Sequence, residues 1–108
     1  MERINCYRIS LKPGISTRLS LNGTTNIKTT LQGGVLYRVY SRVEAFIKIG
    51  SQAGVAANTP LDSATPIAQY TPEILSFGKP GETVQVYGIT LGDSGDIYFT
   101  PMIEVTLP

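Results

Sequence analysis

Asp93, Ser94 and Asp96 fall within the stretch "GDSGD", and closely spaced oxygens in a tight turn are what a hard cation such as calcium seeks. The stretch holds too few carboxylates and has no distal Glu, while Asp and Gly are also what a short turn needs for its own backbone. It reads as a turn. Glu44, Glu73, Glu82 and Glu104 are the other acids weighed for chemistry, because glycoside hydrolysis needs two carboxyl groups about 5–10 Å apart. No spacing in the sequence joins any two of them, and "KPGE" over residues 79–82 is a turn signal outright. The chain has no His and a single Cys, Cys6. That removes the Ser-His-Asp arrangement and the usual zinc and copper ligand sets. An enzyme is not expected, nor any catalytic residue, cofactor or metal.

The elements that would position a site follow from composition and pattern. The 108 residues fit one domain, residues 1–108, and can bury a core without disulfides. Charged residues make up 16% of the chain, below the usual ~25%. Such a surface is either covered in part by another chain or simply polar without charge. The net charge of +1 gives no global attraction to nucleic acid or to an anionic membrane. No apolar run approaches the ~18 residues of a membrane span, and "MERINCYRIS" lacks the layout of a signal peptide. The lone Cys6 fits a reducing compartment, so assembly in a cytoplasm is expected.

Short segments rich in Thr, Val, Ile and Tyr predict strands at residues 7–11, 15–21, 27–31, 35–41, 45–49, 67–70, 73–77, 83–91 and 97–105. Turn signals recur roughly every 8–12 residues, the rhythm of a sandwich or barrel. No window sustains a helical period. The expected fold is all-β, a β-sandwich of about eight or nine short, mainly antiparallel strands.

Register follows from parity, because a slip of one residue turns every side chain to the other face. A three-residue loop at "NGT", residues 22–24, sets Leu19 against Ile27 and Ile15 against Leu31. The same rule at "QGG", residues 32–34, sets Leu31 against Val35 and Ile27 against Val39. The predicted core face is then Ile15, Leu19, Ile27, Leu31, Val35, Tyr37 and Val39. Its reverse aligns Arg18, Lys28 and Arg38, with Arg42 nearby. Like charges directly opposite one another destabilise a sheet, so either an acidic protein surface covers this row or the strands belong to different sheets. Further on, Val84 and Val86 fall on one face and Ile89 and Leu91 on the other. Gly88 between them is the expected site of a β-bulge. Residues 92–96 would close a hairpin placing Leu91 against Ile97 and Ile89 against Phe99, and Pro101 would mark a sheet edge or an exit from the sheet.

Among the six tyrosines, Tyr37 belongs to the core. Tyr40, Tyr87 and Tyr98 could form a stacking face for sugar rings, although Trp, the best residue for this, is absent. The basic residues are scattered and do not match a nucleic-acid-binding pattern.

The connection "SQAGVAANTPLDSATP", residues 51–66, carries one charge, Asp62. A loop of more than ~12 residues without secondary structure is usually functional or disordered, and this composition argues against disorder. Val55, Leu61 and Ile67 offer apolar contact, Ala56, Ala57 and Thr59 allow close approach, and Pro60 and Pro66 lower the entropy lost on fixing the segment. It lies either against a partner or over an open end of its own sandwich.

Residues 45–102 run from "FIKIG" through "TPLDSATPI", "EILSF" and "KPGETVQVYGI" to "SGDIYFTPM". This order resembles small all-β virion proteins of tailed bacteriophages, in particular head decoration (cement or staple) proteins. The resemblance implies a jelly roll on the outer surface of a capsid, binding the major capsid protein and itself, as a dimer or trimer, to stabilise contacts between coat subunits. On that reading the interface comprises Val55, Ala56, Ala57, Thr59, Pro60, Leu61, Asp62 and Thr65, with Arg18, Lys28, Arg38 and Arg42. The alternative is a small tail or adsorption-apparatus sandwich that binds host glycan or another virion protein. Neither nucleic acid nor membrane is expected as a partner.

Overall fold

A computed structural model describes residues 9–22, 25–55, 59–60 and 63–106. The strands are β1 (Ile9–Pro13), β2 (Thr17–Leu21), β3 (Ile27–Gln32), β4 (Leu36–Ser41), β5 (Ala45–Ile49), β6 (Gly54–Val55), β7 (Thr59–Pro60), β8 (Thr65–Ile67), β9 (Glu73–Ser76), β10 (Thr83–Thr90) and β11 (Gly95–Thr106). One sheet has β11 at its centre, with β4 then β9 on one side and β1 and β2 end to end on the other. The facing sheet has the order β3-β10-β5-β8. All ladders between these strands are antiparallel. The protein is an all-β sandwich with the winding of a jelly roll.

From β2 to β5, each successive strand joins the opposite sheet, and so do β9, β10 and β11. The short turns after β2 and β3 are therefore sheet-to-sheet crossings, not hairpins. Leu19 lies opposite Ile97 on β11, and Leu31 opposite Val84 on β10. The residues after β10 likewise cross between sheets and do not pair β10 with β11. The inward faces nevertheless follow the expected alternation. Leu19, Leu31, Tyr37 and Val39 are buried, and Ile27 and Val35 pack against the same cluster with Ile97, Phe99, Val86 and Phe77. Phe77 stands between Tyr37 and Phe99, with ring centroids 5.9 and 6.0 Å away. The buried Tyr37 hydroxyl accepts the Gln32 amide at 3.0 Å, which satisfies its polar end.

Ile15 departs from the predicted core: it is 92% exposed. Pro13 pairs with Met102, and Thr17 with Phe99. Residues 14–16 therefore face only residues 100 and 101, the count of a β-bulge. Pro101 explains the position. Its carbonyl accepts the Gly14 amide at 2.7 Å, and a strand residue directs its N–H and C=O to the same side. The missing donor of Pro101 thus faces the bulge, while its other edge stays in register with Tyr37. Pro101 lies inside the central strand, not at an edge or an exit.

At Gly88 the expectation reverses. Its register with Ile27 and with Ile47 is unbroken, so β10 has no bulge there. A Cβ at Gly88 would come within 2.9 Å of Leu21 Cδ2 across the sandwich. Glycine admits Leu21 to the core, and the apolar phase changes because Ile89 is buried on the outer side of the sheet.

The two ends of the sandwich are tied differently. At one, the buried Ser41 hydroxyl donates to the Val43 carbonyl and the buried Thr90 hydroxyl donates to the Asp93 carbonyl. Among the described residues, no buried side-chain polar atom lacks a partner. At the other, Gly33 donates to the Glu82 carbonyl at 2.8 Å and Gly34 to the Gly78 carbonyl at 3.2 Å. A Cβ at Gly33 would lie 2.1 Å from the Lys79 carbonyl oxygen. Gly33→Ala must push the two crossings apart, and we expect a loss of about 1–3 kcal/mol or more in chemical denaturation.

Candidate functional site

At Ala53 and Ala64 the connection after β5 meets the outer face of the protein's own sheet. β6 and β7 form a two-residue ladder, Gly54 opposite Pro60 and Val55 opposite Thr59. Beneath this arm Ala53 and Ala64 bury Ile89, with Phe46 and Tyr87 alongside. Asn26 fastens it: its side-chain oxygen accepts the Ala53 and Gly54 amides at 2.8 and 3.2 Å, and its nitrogen donates to the Gly54 carbonyl at 2.9 Å. Lys48 Nζ adds a bond to Ser63 at 2.9 Å. The described residues Ala53 and Ala64 thus rest on a sheet face rather than over an open end of the sandwich. Ala56, Ala57, Leu61 and Asp62 lie outside the described residues. Thr65 is exposed on β8 opposite Ile47.

The four cations do not form one row. Lys28, on β3, stands opposite Tyr87, which faces Lys48 on its other side, and its ammonium lies 5.8 Å from the Tyr87 ring centre. Arg18 and Arg38 are on the other sheet, flanking β11: Arg18 opposite Tyr98 and Arg38 opposite Thr100. The strands that sequence parity placed side by side lie on opposite outsides of the sandwich, which relieves the like-charge contact. Arg42 is exposed in the turn after β4, where its amide donates to the Asp96 carbonyl at 2.9 Å. The tyrosines divide in the same way. Tyr40 and Tyr98 are direct cross-strand partners, whereas Tyr87 faces away on the other sheet, so the three do not make one stacking surface.

A feature missed by sequence reasoning is a groove beside the bulge, with a volume of about 780 Å³. Ile15, Val35, Leu36, Pro101, Met102 and Ile103 are among the residues that line it. Ile15 at 92%, Ile103 at 45% and Leu36 at 42% exposure leave it open to solvent. Its signal was present in the dipeptide Pro13-Gly14, a turn signature inside an otherwise strand-like run.

Two of the acids are employed locally. The Glu82 carboxylate accepts the Lys79 amide at 2.7 Å, and Asp96 accepts the Ser20 hydroxyl at 2.9 Å. Among the described residues, no three His, Cys, Asp or Glu are grouped to hold a metal ion.

No protein-family model matches the chain, and no curated protein matches it. Among solved structures, the fold is similar to a de novo designed double-stranded β-helix determined by solution NMR. The TM-score is 0.55 and the identity 9%, over 83% of this chain and all of the designed one (100%). That likeness concerns the fold alone.

Asn26→Ala removes three bonds to the arm at once. We expect faster amide hydrogen exchange at Ala53 and Gly54, by the equivalent of about 1–3 kcal/mol, with Val39 and Phe99 in the main core much less affected.

Proposed function

We propose that this protein is a structural, non-enzymatic component of a virion: a decoration protein that attaches to the outside of a phage head and stabilises contacts between major capsid subunits. The observation that carries this reading is the open groove at the β1–β2 bulge, where Ile15, Leu36 and Ile103 are held out to water. Grouped apolar residues on a surface mark interaction sites. A protein surface suits this one, because the lining residues stand open rather than enclosing a small molecule. The resemblance of residues 45–102 to head decoration proteins supplies the identity of the partner, and the low charge of the chain accords with a surface covered in the assembly.

On this reading attachment works by mass action. Each copy binds the assembled shell in preference to free subunits and so favours the shell, and repetition over the capsid multiplies a modest contact. Self-association as a dimer or trimer would let one particle bridge two subunit boundaries.

The test is addition of the purified protein to heads that lack it, with bound copies counted. We expect saturable attachment in a stoichiometry set by the capsid lattice. Ile15→Asp should weaken it by roughly tenfold or more, the cost of losing one buried aliphatic contact, without changing the melting temperature. Unaltered attachment of that variant would remove the groove from the interface, and no attachment of the wild type would remove the head.

A further inference from the structure

We propose a second binding site, beside the groove, on the outer face of the five-stranded sheet: a strip of tyrosine rings and arginines that takes an acidic polysaccharide. Arg18, Tyr98 and Tyr40 run side by side across β2, β11 and β4. The Arg38 guanidinium lies 5.9 Å from the Tyr40 ring centre. Tyr70 adds a further ring, 6.4 Å from Tyr40 and tilted by 42°.

Tyr70 is the observation that first marks this face. Its φ is +60°, the left-handed region, and no other non-glycine described here adopts it. A bulky side chain held there costs about 1–3 kcal/mol. The conformation is enforced by the Tyr70 amide, which donates to the Ser41 carbonyl at 2.8 Å, and by the bridge between Ser41 and Gln69. That strain serves no burial, since Tyr70 remains 57% exposed. It places a third ring beside Tyr40.

The charge of the face selects the ligand. Among the described residues neither arginine has a carboxylate partner, while Asp96, two positions before Tyr98 on β11, accepts the Ser20 hydroxyl. Arg38 is therefore the anion anchor, able to hold a carboxylate or sulfate through two parallel N–H bonds. The rings offer flat surfaces for the C–H faces of pyranoses, and Thr100 and Ser16, 2.6 Å apart, add hydroxyls for sugar oxygens. A flat sheet face suits an extended polymer laid across the strands. Nucleic acid needs more cations than this near-neutral chain provides. A protein partner needs an apolar centre, and here the exposed aliphatic residues, Ile74 beside Arg38 and Leu36 beyond it on β4, stand at the margin of the strip, whose centre is rings and arginines.

The test is a titration with oligogalacturonate, followed by amide chemical shifts, with a neutral dextran oligomer, poly-glutamate and a short oligothymidylate in parallel. Oligogalacturonate should shift Tyr40, Tyr70 and Tyr98, and bind more weakly as salt is added. Arg38→Gln should weaken it roughly tenfold, as loss of a charge-assisted contact does. Tyr70→Gly should weaken binding while leaving the fold as stable or more so, because glycine relieves the strained φ. No shifts on this face, equal binding of the neutral oligomer, tighter binding of poly-glutamate or oligothymidylate, or indifference to Arg38→Gln would each overturn the proposal.

Discussion

The register of β11 is the constraint on which everything else rests. Ile97 and Phe99 point into the core and are fully buried, so Tyr98 and Thr100 must point out, beside Arg18 and Arg38. With neighbours on both edges and twelve residues of length, this strand cannot slip without moving Phe99 from the aromatic cluster into water. Its later half, Pro101 to Ile103, forms one wall of the groove. A single pleat thus fixes an aromatic, cationic face and an apolar groove of quite different chemistry, and neither can be repositioned alone.

Faces were legible in the sequence, and partners were not. Alternation alone placed Leu19, Leu31, Tyr37 and Val39 correctly in the core, because burial on one side of a strand is a local property. Which strand lies beside which is decided across the sandwich. Gly33 and Gly34 read as a hairpin turn, but the Lys79–Pro80 turn packs against them and carries the chain to the other sheet. Gly88 read as a bulge because its function, making room for Leu21, depends on a residue 67 positions earlier and leaves no local trace. The cation row failed for the same reason: Lys28 left for the other sheet.

The site was legible only in parts. Tyr40 and Tyr98 were singled out by type, but their adjacency required the β4–β11 pairing. Tyr70 carries no sequence signal for a left-handed backbone, since Asn, Asp or Gly are the residues that normally announce it. The segment after β5 was read as an element needing something to lie against. The structure supplies its own β10, through Ile89, and a single asparagine, Asn26, as the fastening.

The offset at Gly14–Ser16 also bears on what this protein avoids. An outer strand with free amides and carbonyls invites a second molecule to add itself, and then a third. A copy that began to zip along β2 would find itself one residue out of step on reaching β1, with its greasy side chains turned to water. Endless ribbon growth from that flank is self-limiting.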